Sequence, residues 1–277
     1  MPDFAALERS ALAGVRSLEV RMAWPTVLLA VTIVAIYWAV VAASMTGAVS
    51  LWTAAAVNSV LAYLAYTPLH EASHGNVARH GHGWINRAVG IAAASLPLHN
   101  FTMHRTTHLA HHGNLNDPAM DADHWVAGLR WWSVLLRCAM LAFSHYKIGI
   151  LPNRRGVIAT AFVENLLPLG AVMVVGVTVG WQIALVTMVL PAFVGATLLG
   201  LLFDYAVHAP YQDKSRFTAT RMFLFPRGLG WLGSAAWMGQ NYHLIHHLYP
   251  WLPFYRYARA YRASRSLLIA RNAKIIS

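Results

Sequence analysis

Three histidine clusters stand out in the chain. They are His70-Glu71-Ala72-Ser73-His74, His108-Leu-Ala-His111-His112 and His243-Leu-Ile-His246-His247. A lone His208 follows Asp204 by four residues. On a helix, residues three and four apart share a face, so each cluster can present two or three imidazoles to one point, and Asp204 can join His208. Imidazole is the commonest protein ligand for iron, copper and zinc. Nine histidines are too many for one metal and suit two. The chain has 15 histidines in 277 residues, a density at which H-x-x-H-H arises by chance about 0.04 times. It occurs twice. His80, His82, His99, His104, His124 and His145 lie outside the regular spacing and are read as surface, supporting or lipid-headgroup residues.

Two other chemistries compete. Residues 70–74 also match H-E-x-x-H, the helical pattern of a zinc peptidase with Glu71 as general base. That reading uses two histidines, leaves the other clusters idle and finds no third ligand. A histidine-rich metal transporter would want ionisable groups inside its spans, and the apolar segments are almost free of them.

The segments that must position these side chains are membrane-like. The chain is 57% hydrophobic and 11% charged, against roughly a quarter charged in an average soluble domain. Disorder is excluded by the apolar content. The single cysteine, Cys138, excludes a disulfide scaffold or a built-in iron–sulfur centre. No Asp, Glu, Lys or Arg occurs from Trp24 to Leu69, and Gly156 to Phe203 holds only Glu164. Each run is long enough for two spans. The sequence therefore predicts an all-α integral membrane protein with four transmembrane helices in two hairpins, at about 24–45, 48–69, 156–178 and 181–203. The cap is formed by 70–155 and 204–277, in one domain, 1–277. Residues 5–22 read as an amphipathic helix on the membrane, and 131–146 as an interfacial helix. Glu164, inside a span, is as apt for function as for structure.

All 21 Lys and Arg flank the spans on one side: three in 1–23, eight in 70–155 and ten in 204–277. The positive-inside rule makes that side, with both termini, cytoplasmic, in a bacterial inner membrane. A cleavable signal peptide and a nucleic-acid partner are not expected. The histidine clusters share this face.

The three boxes, their order and their place around two hairpins resemble the integral-membrane fatty-acid desaturase superfamily, over about residues 60–262. Within it the likeness is to the β-carotene hydroxylases of the desaturase type. It rests on Gly200-Leu-Leu-Phe-Asp204-Tyr-Ala-Val-His208, on Met238-Gly-Gln-Asn-Tyr-His243 through Pro250 and Pro253-Phe-Tyr-Arg-Tyr257, and on His108 through Asp117-Pro118 and Asp123-His124. The first box has three intervening residues where acyl-CoA desaturases have four.

The resemblance implies a metal set of His70, His74, His108, His111, His112, His208, His243, His246 and His247, with Asp204 binding directly or through water. Asp204 and His208 are the implied catalytic residues. It further implies two iron ions, O2 as oxidant and hydroxylation of a carotenoid ring at position 3, with a fatty-acid or lipid desaturase as the alternative. The chain has no dinucleotide fingerprint, so electrons must come from an external carrier. The basic tail, with Arg256, Arg259, Arg262 and Arg265, suits an acidic ferredoxin-like protein or anionic lipid.

Overall fold

The computed structural model describes residues 3–128, 130–150, 155–226, 228 and 230–277. It is mostly helical. Three helices are long and apolar enough to cross a membrane: α2 (Trp24–Met45), α9 (Arg155–Thr178, apolar from Gly156) and α10 (Trp181–His208). Side chains on their outer faces, such as Leu28, Val31, Phe162, Leu166, Val174 and Phe193, are exposed, as lipid-facing positions must be. The apolar segment 48–69 differs from its expected single span. It is divided into α3 (Leu51–Leu64) and α4 (Tyr66–Ser73), joined at Ala65. Pro68 sits in the first turn of α4, where its missing N–H is tolerated, and α4 carries the first histidine box onward from the apolar layer.

The helices after α4 form the cap. These are α5 (Gly83–Ser95), α6 (Phe101–Gly113), α7 (Trp131–Ala139) and α8 (Leu141–Ile150). The interfacial helix expected over 131–146 is thus broken, at Met140. After α10 come β1 (Met222–Phe223), α11 (Gly230–Ala236), α12 (His243–Leu248), α13 (Tyr257–Ala270) and β2 (Ile275–Ile276), which pairs in parallel with β1. The amphipathic N-terminal helix, α1 (Phe4–Arg16), packs on α13 and buries Ala11 and Val15 there. Its apolar stripe therefore finds a protein partner in addition to any lipid. Close approach at Gly195 lets α10 lie on α3, where a Cβ would meet the Ala62 Cβ at 2.8 Å and the Tyr63 backbone N at 3.1 Å.

α10 is not uniform. It contains two π-turns, Leu185–Val189 and Gly200–Tyr205. Such turns carry one extra residue and rotate the rest of the helix about its axis, often at functional sites. The second contains Asp204 and directly precedes His208.

Glu164 acquires a structural job. One carboxylate oxygen accepts from Arg87 (2.7 Å) and from the Thr102 hydroxyl (2.8 Å), and the other accepts from the Thr102 backbone N–H (2.8 Å). With Asn100, whose side chain accepts from Met103 N at 2.8 Å, it satisfies the open N–H groups of the α6 N-terminus, where negative charge is favoured. A charge inside the apolar layer thus fixes the helix that carries His108, His111 and His112. Glu164→Ala should lower the melting temperature and the bound metal together, whereas Glu164→Gln, which can still accept from Thr102, should lower both less; metal content measured beside thermal unfolding in detergent checks the pairing.

Candidate metal centre

The nine histidines form two groups. One ligand nitrogen each from His70, His74, His108, His112 and His246 lies within 4.8 Å of the others, and the same holds for His111, His208, His243 and His247. The closest pairs meet Nε2 to Nε2: His74–His108 at 2.8 Å, His112–His246 at 2.9 Å, and His70–His246, His208–His243 and His243–His247 at 3.0 Å. A metal–imidazole bond of about 2.1 Å puts ligands at right angles about 3 Å apart. The spacing is that of imidazoles around a cation.

Helix geometry explains the partition. At about 100° per residue, i and i+4 differ by about 40°, whereas i+3 falls about 60° to the other side. In α6, His108 and His112 therefore go to one group and His111 to the other. In α12, His243 and His247 go together and His246 crosses over. Each H-x-x-H-H box thus serves both groups. The groups adjoin: the His112 and His247 rings stack with centroids 4.3 Å apart, on a polar cleft that Lys214 and Arg216 also line.

Behind the ligand nitrogens, acceptors fix the tautomers. His111 Nδ1–H donates to Asp121 Oδ1 at 2.7 Å, with Asp123 Oδ2 at 3.4 Å. His243 Nδ1–H donates to Gln240 Oε1 at 3.2 Å. His246 Nδ1–H donates to the Tyr257 hydroxyl at 3.0 Å, which donates to Glu71 Oε1 at 3.3 Å. In each case the Nε2 lone pair is left to the group interior, the arrangement that orients metal-bound histidines. Asp121 is held in turn by the backbone N–H groups of Asn116 and Asp123.

Electrostatics agree with a cation-ready site. Burial, then the charge of His111, pushes His74 and His243 down to about 3, and His108, His112, His246 and His247 move the same way. Neutral imidazole is the ligand form. His111 is the exception. Burial opposes its charge, but Asp121 and Asp123 outweigh burial and raise it to about 9. A metal at that group would displace the Nε2 proton and keep the Nδ1–H bond to Asp121.

Glu71 is fully buried behind His246 and bound to Tyr257, so it supports a ligand instead of standing over a metal-bound water. Its histidines belong to a group of five. A zinc peptidase site needs neither feature. Asp204, which lies within the second π-turn, joins neither histidine group among the described residues. Instead it lines a cavity of about 110 Å³ together with His108, Tyr66, Leu69, Leu141 and Leu199. His80 and His82 are exposed, and His124 lies against Tyr211. His99, His104 and His145 converge with one another. Asp121, Gln240, Tyr257 and the structural role of Glu164 carried no spacing signal in the sequence.

Membrane-length apolar helices beneath two converging histidine groups define a class, a helical membrane protein built around a di-metal site. The family is given by the sequence match: the fatty acid desaturase model covers residues 46–277, and the chain belongs to that family. A search of curated proteins gave no match. Family members use a di-iron centre and are oxygen-dependent oxidoreductases. The donor set fits two such ions, since nine imidazoles converge and three have acceptors placed behind their Nδ1 atoms. Tyr257→Phe removes the acceptor behind His246 without changing a ligand. It should weaken metal retention about 10- to 100-fold, measured by competition with a chelator; unchanged retention would mean that the Glu71–Tyr257 pair does not orient His246.

Proposed function

We propose that the protein is a membrane mixed-function oxidase that hydroxylates the β-ionone ring of carotenoids such as β-carotene at position 3. The observation that carries this reading is the cavity. Its apolar wall (Leu69, Pro97, Leu98, Leu141, Leu199) meets His108 of the five-histidine group and the Asp204 carboxylate. An apolar ring entering from the bilayer would rest against that wall with one carbon directed at the metal centre. A bound iron pair supplies the activation of O2 and the removal of hydrogen from an unactivated C–H bond. The chain itself orients the ring, excludes water with its leucines and, by burial, keeps ligating imidazoles such as His74 and His243 neutral. Asp204 offers a carboxylate on the cavity wall near the apolar layer, where it can hold a proton for oxygen reduction.

In this reading α3 and α4 together make the fourth crossing. The two hairpins then place the termini and the cap on the cytoplasmic face of a bacterial inner membrane, in line with the positive-inside rule. Electrons come from an acidic ferredoxin-like carrier. Arg259, Arg262 and Arg265 are exposed on α13, and the same helix begins at Tyr257, which touches His246. Complementary charge there would speed encounter.

The second reading is a fatty-acid or lipid desaturase. It is favoured by the family match, and an apolar cavity admits an acyl chain as well as a ring. A host supplied with β-carotene and making this protein should accumulate hydroxylated carotenoid, and His246→Ala should abolish the product while the protein still inserts. Unchanged carotenoid together with new double bonds in acyl chains would replace the first reading with the second.

A further inference from the structure

His99, His104 and His145 come from three places: the turn before α6, the first turns of α6, and α8. Their ring centroids are 5.7–6.2 Å apart, and one ligand nitrogen from each lies within 4.8 Å of the others. All three line the apolar cavity. His104 is 2% exposed and His145 7%. Three of their nitrogens, His99 Nε2, His104 Nε2 and His145 Nδ1, are buried without a hydrogen-bond partner among the described residues. No Lys or Arg among the described residues lines the cavity to supply a donor. The other nitrogen of His145, Nε2, faces Asp123 Oδ1 at 3.1 Å, which fixes the proton on Nε2 and leaves Nδ1 a free lone pair. A carboxylate in that place is the usual support of a metal-bound histidine. Asp123 also faces His111, so one carboxylate spans this triad and the four-histidine group.

We propose that His99, His104 and His145 form a third metal site, separate from the nine-histidine centre, that takes one Zn2+ ion. Three imidazoles with a fourth position open to a cavity are the donor set of zinc sites that bind an exogenous oxygen ligand. Bonds of about 2.0–2.1 Å place tetrahedral donors about 3.3 Å apart, so the rings close inward on the ion. Its open position faces the cavity, where the ion would bind a water molecule. The site does not depend on which reaction the nine-histidine centre performs.

The test counts metals on the intact protein, purified in detergent with its resident metals in place. After incubation with Zn2+ and desalting, the wild type should gain one zinc per chain with no loss of iron. His99→Ala and His145→Gln should each gain none while keeping the wild-type iron content. His99 lies in the turn before α6, so His99→Ala decides the matter if His145→Gln fails to insert. No zinc in the wild type, zinc gained only as iron is released, or full zinc retention in the His99 variant would each overturn the proposal; the first of these would leave the three imidazoles as hydrogen-bonding groups for water or substrate.

Discussion

Eight imidazoles are packed so that their Nε2 atoms face one another at about 3 Å in a buried place, and His111 joins them within 4.8 Å. Lone pairs held at that distance without protons or cations between them repel, and burial removes the water that would screen them. The arrangement is stable when cations sit among the nitrogens. Much of the cap can be understood as holding this otherwise unfavourable cluster in place. Glu164 anchors the α6 N-terminus, Asp121 turns the 114–121 loop under His111, and Tyr257 with Glu71 braces His246. These contacts tie the cluster to α9, to the loop after α6 and to α13.

The supporting carboxylates do two things at once. Asp121 and Asp123 fix the orientation of His111 and also place negative charge beside the four-histidine group. Beside the five-histidine group, Glu71 fixes the orientation of His246 through a tyrosine. The two groups therefore differ in charge as well as in ligand number. Two metals held there would sit in unlike surroundings, the four-histidine group having the carboxylates nearer.

The shared faces of the histidine clusters were legible because helix periodicity is strong local physics. The clusters are short and spaced at three and four, and the same spacing that shows a shared face also contains the partition. His111 and His112 differ by about 100° on α6 and so cannot serve one ion as neighbours. The membrane-length segments were legible from the scarcity of charge. The division of 48–69 at Ala65 was not read from the uniform lack of charge; its trace is Pro68, in the first turn of α4. The π-turn that contains Asp204 is silent, because nothing in Gly200-Leu-Leu-Phe-Asp204-Tyr205 distinguishes a turn with one extra residue from an α-helical one. The convergence of His99, His104 and His145 is a tertiary event. It depends on α8 folding back on α6 after a separation of some forty residues.

Nine histidines divided in this way would hold two metals in unlike environments. Mössbauer spectroscopy of protein reconstituted with 57Fe, with the iron counted per chain, tests it most directly. Two irons bound to the nine-histidine centre should give two distinguishable signals of equal area. A single iron per chain with one signal would contradict it.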